Sequence, residues 1–282
     1  MRLIDSGRPG RLQNVVVFLS GSVPNREGFK KVAEAPFLIE QAVVSLARAV
    51  FSEGGRIVFG AHPSISPLVA SVASEYRLAG LPDETRPVII YQSHAFDDVL
   101  PNETWDMFRF GFAELVWTEA LRGEKYRKGD PASRSCPHSL THMRQRMIHE
   151  TKPRFMVVVG GMEGVFEEVE LFSEFWMKNM ELLRAHPKPP PLIYISPSTG
   201  GAAARVLGES RLEVIRDLLS ASSPQLPFLH VLEDDWGSES RLTESHQRSA
   251  EDPRDVPLPP FGAMMQWLVG RFTDLSAPQR SS

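Results

Sequence analysis

Seven short apolar runs constrain this chain more than any other feature: Val15 to Leu19, Ile57 to Phe59, Pro87 to Tyr91, Glu114 to Trp117, Phe155 to Val159, Leu192 to Ile195 and Phe228 to Leu232. Helical patterning fills most of the intervals between them. A continuous β-branched run such as Phe155 to Val159, without polar alternation, marks a strand covered on both faces. Parallel strands require crossover connections, and those crossovers lie on the faces of the sheet. The pattern therefore predicts an α/β fold with a mainly parallel sheet of six or seven strands between two helical layers.

The intervening segments carry their own signals. Pro36 opens a helix over Phe37 to Phe51, where Ile39, Val43, Leu46, Ala47 and Val50 recur at helical spacing. Ser66 and Pro67 read as the cap and first position of a helix over Leu68 to Tyr76, and Thr104 to Phe112 reads as another. Ser139 is expected to cap a helix from Leu140 to Glu150. Val165 to Leu183, a segment from Ala203, and Phe261 to Leu275 complete the set. The expected architecture is a three-layer, Rossmann-like doubly wound domain over residues 13–275. Residues 121–138 and 234–260 read as surface excursions, and 1–12 and 276–282 as flexible termini.

Composition narrows the function classes. Hydrophobic residues make up 42% of the chain and charged residues 23%, which excludes wholesale disorder. The 31 basic and 35 acidic residues give a net charge of −4, so no general attraction to nucleic acid or to an anionic membrane is expected. Cys136 is the single cysteine and has no internal disulfide partner. The first residues lack an apolar signal segment, and no run reads as a membrane span. These features point to a cytoplasmic protein. Cys136, His138 and His142 have metal-like spacing without a fourth ligand, so they read as a surface loop, and neither metal nor cofactor is expected.

In doubly wound sheets, ligands bind beyond the carboxyl ends of the strands. Here those ends carry Ser20-Gly21-Ser22, the loop with Gly60, His62 and Ser64, Gln92 to His94, the turn with Gly160, Gly161 and Gly164, and the loop with Thr199 and Gly200. A glycine turn between a buried strand and a helix exposes backbone N–H groups, and the helix start adds partial positive charge. That combination suits a phosphate or carboxylate. A tight turn made for geometry alone is the competing reading. His62, between a glycine turn and a proline, can hydrogen-bond a base or ribose, or simply fix its loop.

The order M-x-x-R over Met143 to Arg146, followed by F-x-x-x-x-G-G-x-x-G-x-x-x-E over Phe155 to Glu168, resembles the SLOG superfamily. That superfamily includes the Lonely-Guy-type nucleotide phosphoribohydrolases, once named lysine decarboxylases, and nucleotide-ligand sensor domains of bacterial immunity systems. The resemblance implies a nucleotide pocket at the carboxyl edge of the sheet and a homodimer or higher homo-oligomer. It matches Arg146 to the hydrolase arginine, Glu168 to the catalytic glutamate with Glu167 beside it, and Gly160, Gly161 and Gly164 to the phosphate loop. Val159 stands where the hydrolases have proline, and Val165 where they have a phosphate-bonding threonine. Glu163 is an additional carboxylate in the turn, which repels phosphate unless it meets a cation.

Two functions follow. One is a sensor or accessory protein that binds a nucleotide or a nucleotide-derived signal, such as an ADP-ribose derivative. The other is a nucleoside 5′-monophosphate phosphoribohydrolase or related N-glycosidase. There Glu168 would activate water and offset an oxocarbenium-like charge while Arg146 holds phosphate or ribose oxygens. A structural scaffold that binds no nucleotide is the third alternative.

Overall fold

The computed structural model describes residues 11–13, 15–30, 35–78, 86–130, 135–179, 191–209, 228–239 and 259–276. Its seven strands are β1 (Val16–Ser22), β2 (Arg56–Gly60), β3 (Val88–Ser93), β4 (Ala113–Thr118), β5 (Phe155–Gly160), β6 (Leu192–Ser196) and β7 (Phe228–Val231). They form one sheet in the order β4-β3-β2-β1-β5-β6-β7, and every pairing is parallel. Each expected apolar run is a strand, and the fold is the expected Rossmann-like α/β class.

The helices are α1 (Ala35–Ser52), α2 (Ser66–Leu78), α3 (Asn102–Arg109), α4 (Pro137–Thr151), α5 (Glu163–Lys178), α6 (Leu232–Glu239) and α7 (Phe261–Ser276). Side-chain alternation along the strands divides the core in two. Val17, Leu19, Ile57, Phe59, Phe155 and Val157 face α1, α2 and α7. Phe18, Val58, Met156, Val158 and Ile193 face α4 and α5. The succession of strands reverses direction between β1 and β5, which places the ligand-binding crevice of such sheets at their carboxyl ends.

Several local expectations need correction. Helix α4 starts two residues before Ser139, at Pro137, behind a left-handed Cys136. Its opening N–H groups are met by Glu124: His138 N donates to one carboxylate oxygen at 3.2 Å and Ser139 N to the other at 2.8 Å. A negative side chain at a helix start satisfies orphan donors and complements the dipole. Ser139 instead accepts from Leu121 N at 2.9 Å, so this part of the 121–138 excursion is tied to the helix.

Leu12, read as part of a flexible terminus, is fully buried. Ala203 lies within a turn over residues 201–205, followed by a short 3₁₀ segment at Val206–Gly208, and α5 ends at Lys178. The 234–260 excursion begins inside α6, whose Leu232 is buried; residues 240–258 and 277–282 lie outside the described residues. Helix α1 is long and apolar enough to cross a membrane by length and composition, contrary to the sequence reading. In this fold its apolar residues, among them Ile39, Val43, Leu46 and Val50, are buried against the sheet, α2 and α7.

Gly21 is the tightest point of the sheet, because a Cβ there would collide with the Val159 carbonyl oxygen across the β1–β5 ladder. Gly21→Ala should cost stability at the upper end of the roughly 1–3 kcal/mol typical of overpacking. Urea unfolding of the purified variant measures it, and an unchanged midpoint contradicts the close approach.

Candidate functional site

The carboxyl ends of β1, β2, β5 and β6 bring Ser20, Gly21, Ser22, Gly60, His62, Ser64, Gly160, Gly161, Thr199 and Gly200 to one edge of the sheet. Gly164 lies in the first turn of α5, immediately above. Ser20 has the same side-chain parity as Phe18, so it points toward the α4 and α5 layer, and it is 1% exposed.

There its hydroxyl donates to Oε2 of Glu168, while Arg144 Nε donates to Oε1 at 3.1 Å. Arg144 Nη1 also reaches Oε2 of Glu167 at 2.5 Å, and Thr141 donates to the other Glu167 oxygen. The Arg144 and Glu168 side chains are only 12% and 13% exposed. In such a setting the attraction between charges roughly offsets their desolvation, but removing one partner strands the others at a cost of about 3–5 kcal/mol. Two carboxylates share one guanidinium, leaving a formal charge of −1. That charge suits a developing cation or ligand hydroxyl donors.

Arg144, not Arg146, is therefore the arginine beside Glu168. Positions two apart on an α-helix lie about 200° around its axis, so only one of them can face α5. Arg146 turns toward β4, where it pairs with Glu150 at 2.7 Å and donates to the Trp117 carbonyl at 3.3 Å. Helical phase is the signal that distinguishes the two: Thr141 and Arg144 are three apart, on one face. Gly164 completes the arrangement, since a Cβ at that position would overlap the Arg144 guanidinium.

The glycine turn serves a different purpose from the anion cradle expected of it. Gly160 and Gly161 have φ of +60° and +86°, a region open to glycine. Gly161 N donates to Ser22 O at 2.7 Å and Gly160 N to Thr199 Oγ1 at 2.8 Å. Their carbonyls accept from Ala202 N at 2.9 Å and Ala203 N at 2.8 Å. All four backbone groups are consumed in joining β1, β5 and the loop after β6. Thr199 is similarly committed, donating to Ser196 O at 2.6 Å, and Gly200 N donates to Pro197 O at 2.9 Å.

Positive character at this edge comes from the start of α5, whose Met162 N-cap makes no side-chain cap bond, and from two arginines. Arg26 pairs with Glu163 at 2.6 Å, giving the additional carboxylate of the turn its cation. Arg205 lies over Phe29 and Phe166, 4.7 and 5.7 Å from the ring centroids. Neither arginine follows from a sequence motif, because each is positioned by a loop.

His62 is held on the other side of β1. Val23 N donates to Ser64 Oγ at 2.9 Å, and Ser64 Oγ and N lie 2.8 and 3.2 Å from His62 Nδ1. Burial pushes the His62 imidazole down to about 4. Of the residues with metal-like spacing, Cys136 is buried and His138 Nε2 lies 2.8 Å from Arg122 Nη1.

The depressed His62 pKa predicts a pH effect on stability. The unfolded imidazole protonates near 6.5 and the folded one near 4, so the unfolded state binds more protons between these values. Stability is full above pH 6.5 and declines as pH falls to 4, by at most roughly 3 kcal/mol. Urea unfolding of wild type and His62→Gln across this window isolates the contribution from that of the carboxylates. Parallel pH profiles contradict it.

Comparison with known proteins adds a family. A family model described as "SLOG cluster3 family" matches residues 29–223, a span running from before α1 to beyond β6. The X-ray structure of TM1055, a Northeast Structural Genomics Consortium target, is similar with a TM-score of 0.43 and 12% identity, covering 81% of this chain and 99% of that one. No curated protein matches the chain. The family match spans well over half of the sequence and contains the strand, glycine turn and helix that build the Glu168 site, so the chain belongs to the SLOG cluster3 family.

Proposed function

We propose that this protein binds a nucleotide or nucleotide-derived signal, such as an ADP-ribose derivative, in the crevice between β1 and β5, and acts as a sensor or accessory protein. The observation that carries this reading is the Ser20–Glu168–Arg144–Glu167 network at that crevice. Its carboxylates are acceptors for ribose hydroxyls, while the α5 start with Arg26 and Arg205 offers a separate place for phosphate oxygens. The two ends of a nucleotide thereby meet opposite charges. The single cysteine of the sequence fits a reducing, cytoplasmic setting.

Binding without turnover is favoured because both oxygens of Glu168 already accept hydrogen bonds, from Arg144 and Ser20. These two bonds turn the carboxylate toward Arg144 and Ser20, so only the lone pairs that remain face a ligand, where they suit the task of accepting ribose hydroxyls. Hydrolysis of an N-glycosidic bond is the second reading, favoured by the position of Glu168 at the sheet edge beside a guanidinium. In it Arg144 takes the role that the sequence motif assigned to Arg146.

Calorimetry with AMP, NAD and ADP-ribose, combined with chromatography for released base, separates the readings. Saturable binding without base release is the expected result; base release that Glu168→Gln abolishes establishes the hydrolase, and no heat with any probe leaves a scaffold. Gly164→Ala should keep the fold, because the atoms it meets are the far end of a flexible side chain, yet weaken binding about tenfold by displacing Arg144. Wild-type affinity in that variant counts against the network as the binding element.

A further inference from the structure

The His62 loop assigns a single protonation form to a side chain at the same sheet edge as the proposed pocket, across β1 from the Glu168 network. Ser64 N carries a hydrogen that must point at an acceptor, and His62 Nδ1 is that acceptor at 3.2 Å. The Ser64 hydroxyl receives Val23 N–H and lies 2.8 Å from the same nitrogen; with Nδ1 already an acceptor, the hydroxyl hydrogen points there and shares its lone pair. With Nδ1 accepting, the ring hydrogen of a neutral imidazole resides on Nε2. Among the described residues Nε2 has no protein partner, and it is not among the buried polar atoms left unsatisfied, so it reaches solvent. The relay from Val23 through Ser64 ties the imidazole, at Nδ1, to the loop that follows Ser20-Gly21-Ser22.

We infer that His62 Nε2–H is a fixed hydrogen-bond donor that selects ligands presenting an uncharged acceptor, a ring nitrogen or carbonyl of the base or a hydroxyl oxygen of the ribose. This inference rests on the nucleotide reading of the site. A phosphate at this position would be partly desolvated against a neutral donor, with Glu167 and Glu168 at the same edge, and so would lack the compensating charge. The low pKa agrees with this, since the folded protein keeps the imidazole neutral at physiological pH. His62 therefore acts by recognition: it has no ammonium-like proton to deliver to a leaving group.

The test uses the full chain, with ¹⁵N-histidine labelling and His62→Gln to assign the signal among its 8 histidines. Long-range ¹H–¹⁵N spectra at pH 7 should show His62 as the Nε2–H tautomer, and an Nδ1–H tautomer or an imidazolium overturns the inference. Calorimetry then compares wild type with His62→Asn, whose short amide can still accept Ser64 N–H in an Asx-type turn but lacks the distal donor. His62→Asn should bind AMP roughly three- to tenfold more weakly, and His62→Gln, which retains a distal N–H, should recover part of the loss. Repeating the pair with 1-deaza-, 3-deaza- and 7-deaza-AMP and with 2′-deoxy- and 3′-deoxy-AMP identifies the acceptor as the analogue on which the two proteins no longer differ. Equal affinity of wild type and His62→Asn for every probe overturns this inference alone. Wild-type protein that binds none of the probes overturns the nucleotide reading and this inference with it.

Discussion

The junction at which Gly160 and Gly161 join three segments through their own peptide groups holds the site together. Ser22 O, Thr199 Oγ1, Ala202 N and Ala203 N each take one of the four hydrogen-bonding groups of these glycines. The contacts need positive φ and the absence of side chains, since a Cβ on Gly160 would overlap Ile39 and one on Gly161 would overlap Val165. β1 and β5 can then approach until Gly21 meets Val159 O. Every other feature of the crevice, including the reach of Ser20 to Glu168, is referenced to that fixed distance between the strands.

Upon this rigid base the chemistry is electrostatic. Arg144 stands between Glu167 and Glu168, and Gly164 leaves room for its guanidinium. An arginine in such a position serves geometry as much as charge, because its planar fork fixes the directions of two carboxylates at once. Helix α4, which carries Arg144 and Thr141, is in turn fixed at its start by Glu124 from a preceding loop. The site therefore draws on contributions from β1, α4 and α5, with the β2 loop supplying His62 across β1.

The architecture was legible in the sequence because burial on both faces of a parallel strand writes a run that local pattern detects. All seven such runs are strands, and the glycines, Glu167 and Glu168 stand at the sheet edge anticipated for them. Arg144 was not distinguished from Arg146, since both lie in one charged helix turn and only the phase relative to α5 separates them. The role of the glycines was half legible. Their conformational need shows in the residue type, but whether peptide N–H groups face a ligand or the rest of the chain depends on Ser22 and Thr199, which lie far off in sequence. Glu124 as a cap, and Arg26 as the counter-ion of Glu163, are long-range pairings with no local signature.

The sheet order has a consequence for how the molecule is made. β1 pairs with β2 on one side and with β5 on the other, and Ser20 meets Glu168 across 148 positions of sequence. During synthesis β1, β2, β3 and β4 can assemble first, leaving one flank of β1 as an unpaired edge until β5 leaves the ribosome. Such an edge is a template for association with other chains. Because the crevice forms only when that flank is filled, its appearance coincides with the closing of a strongly non-local pairing, a step that loop closure makes slow. In a newly made chain, the crevice and the covering of this flank of β1 therefore arrive together.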